Sequence, residues 1–210
     1  MTYETQYLDG VLLLTLKTSA LNTLTLEDVS ALRDFFERPD NDLPLVFTGG
    51  GSAFSAGVDT KAFERYSASK RIELFDAISA MTRAIVQYPQ PVVAAVNGHA
   101  LGGGLVLALC ADYRLCAEGP HKFGLTEARA GVPFPEGALA VISKELPGPL
   151  LRRWTLTSEV VGSADLQAAE VIDEILPAEE LLKTSVARAK DLASQPAFSD
   201  VKRQVRKLPD

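Results

Sequence analysis

The chain has 210 residues, 47% of them apolar and 23% charged, with 21 Lys and Arg against 27 Asp and Glu and a formal net charge of −6. Such a chain is long enough to remove about 70% of its surface from water on folding, which excludes a disordered, collagen-like or disulfide-built protein. The acidic balance argues against nucleic acid as a partner.

Val11 to Leu16 (VLLLTL) is a short apolar run and predicts a strand. Thr25 with Asp28 three residues on forms a capping box. Leu26, Val29, Leu32 and Phe36 then recur at helical spacing, and Pro39 is expected to end that helix. Leu43 to Thr48 reads as a buried strand opening into Gly49-Gly50-Gly51. Ser69 to Tyr88 predicts a long amphipathic helix with Ile72, Phe75, Ile78, Met81 and Ile85 on one face, stopped by Pro89 and Pro91. Val92 to Val96 is a second buried strand. A second cluster, Gly102-Gly103-Gly104, opens a buried helix through Leu105 to Leu109, and Tyr113 to Ala117 is a further strand. From Gly137 the chain is mostly helical, with a short strand near Val171 to Ile175. The last helix, capped by Ser199, carries Lys202, Arg203, Arg206 and Lys207, read as a solvated basic end or as a phosphate contact. Strands alternating with helices give the α/β class, and residues 1–210 read as one domain.

Cys110 and Cys116 fit no zinc spacing and are expected to be core thiols in a reducing compartment. Met1 to Glu4 lacks the pattern of a signal peptide, and no apolar run approaches the ~18 residues of a spanning helix. The expectation is a cytoplasmic protein with no membrane partner and no metal.

Each glycine cluster follows a buried strand and precedes a helix, the position at which α/β proteins bind ligands. Neither fits a dinucleotide fingerprint or a P-loop. Ala53 to Gly57 (AFSAG) falls one residue short of a nucleophile elbow, so a serine hydrolase using Ser55 with His99 or His121 stays open. The remaining option is a pair of backbone amides from the two glycine-rich turns acting as an oxyanion hole.

The segment Gly50 to Lys61 (GGSAFSAGVDTK) resembles the G-x-G-x-A-F-x-A-G-x-D-x-K segment of the crotonase (enoyl-CoA hydratase/isomerase) superfamily. Pro91 to Gly104 (PVVAAVNGHALGGG) resembles its P-x-x-A-x-x-N-G-x-A-x-G-G-G segment. Ala20-Leu21-Asn22, Ala111-Asp112 and Phe123 to Glu127 (FGLTE) are similar to further family motifs, all in the family's order. The resemblance implies repeated ββα units wound into a right-handed superhelix, assembly as a homotrimer or hexamer, and an acyl-CoA thioester as substrate, with CoA part of the substrate and no separate cofactor. It implies that the N–H groups of Val58 and Gly103 form the oxyanion hole. Gly102 and Val106 would flank the site, and Ala20, Ala56 and Asp59 would lie along the CoA path. Lys61 would approach a phosphate or serve as a plain surface lysine. The core would run to about residue 175, with 176–210 as a shortened C-terminal helical region.

One departure bears on the reaction. Hydratases of the family carry two glutamates, and at the first of those positions this chain has Val106; at the second it has Glu127. Valine neither accepts nor donates a proton, and efficient hydration divides its proton transfers between two carboxylates. A single carboxylate beside an oxyanion hole serves the isomerisation of a 3-enoyl-CoA to the conjugated 2-enoyl-CoA. Glu136, nine residues after Glu127 and stiffened by Pro133 and Pro135, would reopen hydration if it reached the site; otherwise it is an acid in the first turn of a helix. Hydratase, dehydratase or thioester hydrolase chemistry stays open as an alternative, as does an acyl-CoA-binding protein without turnover.

Overall fold

A computed structural model describes residues 2–38 and 42–208. In chain order the elements are β1 (Tyr3–Leu8), β2 (Val11–Leu16), β3 (Thr23–Leu24), α1 (Leu26–Phe36), β4 (Leu45–Gly49), β5 (Ala53–Ser55), β6 (Gly57–Val58), α2 (Thr60–Arg65), α3 (Ala68–Gln87), β7 (Val92–Val96), β8 (His99–Leu101) and α4 (Gly103–Leu109). They continue as β9 (Tyr113–Ala117), β10 (Phe123–Gly124), α5 (Glu127–Ala130), α6 (Glu136–Glu145), α7 (Gly148–Thr157), α8 (Ser163–Ala168), β11 (Glu174–Leu176), α9 (Ala178–Ala193) and α10 (Phe198–Val205).

The repeat is visible in the pairing. The strands β2, β4, β7 and β9 lie side by side in a six-stranded sheet of order β1-β2-β4-β7-β9-β11. All its neighbours are parallel except the β1–β2 hairpin. The short strand that follows each of them goes to a smaller parallel sheet: β5, β8 and β10 form one, and β3 pairs with β6 in another. A helix then closes each unit: α1, α2 with α3, α4, and α5. Parallel strands need such crossovers, and the fully buried run of β7 is what a sheet covered on both faces requires. One face carries the main core, in which Phe36, Phe47, Phe54 and Tyr88 meet edge to face. The other face carries a smaller cluster under α9, built on Val11, Val46, Val93, Leu181 and Ala189.

Local signals set most boundaries. The Thr25 hydroxyl accepts from Asp28 N–H and the Asp28 carboxylate accepts from Thr25 N–H, completing the capping box. Helix α1 is capped at Glu37, and Pro39 lies outside the described residues. Ser67 caps α3. The predicted face of α3 needs one correction: Ile72 is exposed, and the buried stripe is Leu74, Ile78, Met81, Ile85 with Ala77 and Thr82. The first turn of α3 is held by its polar residues instead, Lys70 to Glu27 of α1 and Arg71 to the Phe63 carbonyl of α2, which leaves Ile72 facing out.

The C-terminal helix also differs from expectation. Ser199 is not its cap; the residue before Phe198 is, and the Ser199 hydroxyl donates to the Pro89 carbonyl at 2.7 Å. Lys202 is neither solvated nor set for a phosphate. Its side chain is 4% exposed and its Nζ donates to Asp112 Oδ2 at 2.6 Å and to the Gln90 carbonyl at 3.0 Å. Arg206 is turned inward as well, against Glu145 and the end of α4. Cys110 and Cys116 are free buried thiols, and burial pushes both up to about 12, which leaves them unreactive at neutral pH.

Candidate active site

The site begins with two backbone approaches that only glycine permits. Gly57 has φ +77°, and a Cβ there would fall 2.6 Å from Gly103 N. A Cβ on Gly104 would fall 2.0 Å from the Ser55 carbonyl oxygen. The turn between β5 and β6 therefore sits directly on the N-terminus of α4. A methyl placed on Gly103 would lie 3.7 Å from Val58 N, so the Val58 and Gly103 amides are neighbours. In the β3–β6 pairing, Asp59 N–H donates to the Leu24 carbonyl at 2.9 Å. Alternation along the strand turns the Val58 N–H the other way. The Gly103 N–H opens α4 and has no intrahelical acceptor. Two such donors at the positive end of a helix fit a developing oxyanion.

The amides border a cavity of about 100 Å³ whose walls come from distant parts of the chain. Leu24, Val29, Ile78, Met81, Val106, Val132 and Ala138 make it largely apolar, and Ala56, Val58, Gly102, Gly103 and Glu127 line it beside the hydroxyl-bearing Thr60, Thr82 and Thr126. Glu127, at the start of α5, is 8% exposed, and its Oε2 has no hydrogen-bond partner among the described residues. Its Oε1 lies 3.4 Å from the point where a Cβ on Gly102 would stand. Burial pushes the carboxyl up to about 7, against an opposing hydrogen bond from its own backbone. A carboxylate poised near neutrality, unpaired, facing a cavity beside two free donors is equipped to move a proton on carbon.

Six of the ten residues singled out from sequence line this cavity: Ala56, Val58, Gly102, Gly103, Val106 and Glu127. Four do not. Ala20 is exposed in the turn after β2. Asp59 is the N-cap of α2, accepting from Ala62 N–H at 2.8 Å and from the Thr23 hydroxyl at 3.3 Å. Lys61 is exposed on α2. Glu136 is exposed in the first turn of α6 and borders a separate surface groove with Ser79, Arg83 and Lys144. The prolines expected to present it, Pro133 and Pro135, line the cavity themselves. Among the described residues, Glu127 is the sole carboxylate in the cavity wall, and no group of acidic, His or Cys side chains is placed to hold a metal.

The first glycine triplet is also not at the cavity. Gly49 to Gly51 form a turn stapled by two asparagines. Asn22 Nδ2 donates to the Gly50 and Ala53 carbonyls, each at 2.9 Å. Asn97 accepts from Gly49 N–H and donates to the Gly51 carbonyl, each at 3.0 Å. The serine hydrolase reading fails here. Ser55 is fully buried, its hydroxyl donates to the Asn22 carbonyl at 2.7 Å and accepts from Gly57 N–H at 3.1 Å, and neither histidine bonds to it. His99 instead accepts from Lys122 N–H and packs edge-on against His121.

Sequence reasoning did not assign Ile78, Met81, Thr82, Val132 or Ala138 to the site. For Ile78 and Met81 the helical stripe of α3 was the available signal, but it marks a buried face without saying that part of that face is hollow.

The profile of the family described as enoyl-CoA hydratase/isomerase matches residues 6–208. The carnitinyl-CoA dehydratase of Salmonella heidelberg (strain SL476) is 31% identical over 165 residues, covering 79% of this chain, and that of Salmonella typhi is 30% identical over the same length. The chain spans 61% of the length of these relatives. Among solved structures, an enoyl-CoA hydratase/isomerase family protein from Pseudomonas syringae superposes with a TM-score of 0.90 at 27% identity, covering 98% of this chain and 90% of its own. An enoyl-CoA hydratase from Mycobacterium avium subsp. paratuberculosis K-10 gives 0.85 at 26% identity, over 97% and 84%. The glycine contacts that pair Val58 with Gly103 and the family match over nearly the whole chain agree: the chain belongs to the enoyl-CoA hydratase/isomerase family.

Proposed function

We propose that the protein acts on an acyl-CoA thioester by moving the α-proton with Glu127, and that its principal reaction is the isomerisation of a 3-enoyl-CoA to the conjugated 2-enoyl-CoA. The observation that carries this is the single buried, unpaired carboxylate facing the cavity shared with the Val58 and Gly103 amides. Ionised Glu127 takes a proton from the α-carbon of the thioester. The dienolate that forms places its negative charge on the carbonyl oxygen, which accepts from the two amides. Protonated Glu127 then returns the same proton at the γ-carbon. Charge and protons balance with one acid, so Val106 at the other acidic position of the family is no obstacle. The apolar wall of Met81, Ile78 and Val132 suits a hydrocarbon acyl group.

A second reading, dehydration of a 3-hydroxyacyl-CoA, is favoured by the name of the curated relatives. It uses the same first step; the proton on Glu127 then leaves with the β-hydroxyl as water. The two readings differ in where the proton goes: isomerisation returns it to carbon with one acid, whereas dehydration asks Glu127 alone for the work that two carboxylates share in the family's hydratases.

Ultraviolet absorbance separates them. With a 3-enoyl-CoA, conjugation of the double bond with the thioester raises the absorbance if the first reading holds. With a 3-hydroxyacyl-CoA, a rise indicates the second. Either signal is expected to fall by at least about a hundredfold in rate in Glu127→Ala. A rate that survives this substitution overturns both readings, and bound substrate with no change overturns catalysis on these compounds.

A further inference from the structure

Helix α4 presents a structural problem at the end opposite the cavity. It is seven residues long, and every residue from Gly104 to Leu109 is buried. Its last carbonyls, with those of Cys110 and Ala111, therefore end in the interior, where an unmet acceptor is costly. One side chain meets them. Arg206 Nη2 donates to the carbonyls of Leu109 at 3.2 Å, Cys110 at 2.7 Å and Ala111 at 3.2 Å. A guanidinium there also opposes the negative end of the helix.

The other arm of Arg206 reaches the end of α6, a helix that lines the cavity further along. Its Nη1 pairs with Glu145 at the end of α6, and Glu145 is held in turn by Arg114 on β9 at 2.8 Å. Helix α6 supplies Ala138 to the cavity, and Pro135 immediately precedes it. One turn earlier in α10, Lys202 grips Asp112, whose Oδ2 also accepts from Val92 N–H at 2.8 Å at the start of β7. The side chains of Arg206, Glu145, Lys202 and Asp112 are all 14% exposed or less. Arg206 does not line the cavity, yet it is bonded to α6 and to the end of α4, two of the helices that do. A seven-residue helix carries a displacement of its last turn to its first, about 10 Å away, because its own hydrogen bonds keep it rigid.

We propose that Arg206 is a positioning residue for the oxyanion hole: by holding the C-terminal carbonyls of α4 it fixes where the Gly103 amide stands relative to Val58 and Glu127. This rests on the α-proton transfer reading above.

The test compares the full chain with Arg206→Lys, which keeps the charge but, with a single nitrogen on a flexible stem, cannot hold the three carbonyls and Glu145 at once. Ser199→Ala is the control: it removes an α10 contact, to Pro89, that does not reach α4. Three readouts are taken: melting temperature, kcat and KM on the substrate that turns over, and the absorbance shift of a bound conjugated dienoyl-CoA, which reports polarisation of its carbonyl by the two amides. The expected result for Arg206→Lys is a kcat lower by on the order of tenfold, a KM within about threefold and a reduced absorbance shift. Ser199→Ala is expected to keep the kcat and the shift of the parent. A folded Arg206→Lys with parental kcat and shift, whatever its melting temperature, overturns the proposal alone. A parent chain that binds the probe with no shift overturns the reading on which it rests, and this one with it. Should Arg206→Lys not fold, Arg206→Gln is read by the same shift in the same way, and Glu145→Gln supplies a milder case: it loosens α6 and leaves the three carbonyl bonds. A raised KM with the shift retained in Glu145→Gln supports the division of labour, and a lost shift overturns it.

Discussion

Glu127 is the residue on which the proposed proton transfer rests, and its burial has consequences at both acid and neutral pH. The folded chain binds the Glu127 proton more tightly than the unfolded chain, since burial pushes the carboxyl from 4.5 up to about 7. Stability from this group is therefore fully present below about pH 4.5 and is lost as pH rises towards 7, because only the folded state must then keep a buried charge. The difference amounts to about 3 kcal/mol at pH 8. Glu127→Gln should accordingly be more stable than the parent at pH 8 and closer to it at pH 4, which calorimetry across that range would show. Activity should run the other way. The base must be ionised, so kcat/KM should rise with pH through a midpoint near 7, and Glu127→Gln should abolish that limb. A parental profile flat between pH 6 and 8 would count against Glu127 as the base. Residue identity at this position was legible in the sequence; its shifted pKa was not, because it comes from burial beside a cavity whose walls are brought in from other elements.

Among the elements, the contact between the β5–β6 turn and α4 is the least tolerant of change. Gly57→Ala would bring a methyl to 2.6 Å from Gly103 N and 2.8 Å from the Leu101 carbonyl, at φ +77°. The expected cost is about 2 kcal/mol or more. The rate should fall by on the order of a hundredfold as the two amides separate. Thermal melting and a rate measurement on the folded fraction check both. Element assignment followed the strength of local signals. The runs VLLLTL and VVAAV became β2 and β7, and the capping box placed α1. The hairpin partner β1, with its exposed and polar middle, gave no apolar pattern. The two- and three-residue strands β3, β6, β8 and β10 were invisible for a different reason: a strand that short has no period, and only its pairing partner defines it.

For the molecule as a whole, α10 ties the far end of the chain to its middle. Lys202→Met leaves Asp112 buried with Arg206 Nε at 3.7 Å as its nearest cation. Removing one member of such a pair should cost about 3 kcal/mol. In Lys202→Met with Asp112→Asn, the amide can still accept from Val92 N–H without carrying a charge, so the double variant should cost less than the sum of the two single ones by about 1 kcal/mol or more. Denaturant unfolding of the four proteins measures this; strict additivity would show that the pair is not coupled.

The α/β class, the family, the glycine positions and the identity of Glu127 and Val106 were legible along the chain, because these depend on local pattern and on contiguous motifs. The amides of Val58 and Gly103 were named as well, through the resemblance those motifs carry. The packed fold was needed to see that Glu136 stays at the surface, that Asp59 caps a helix, that the Ser55 hydroxyl is taken up by Asn22 and Gly57, and that Lys202 and Arg206 turn inward. Glu136 stays in water at the start of α6, while Asp59, Ser55, Lys202 and Arg206 follow one rule. A polar side chain goes where its unmet partner is, and here those partners lie in elements whose place in space no local pattern records.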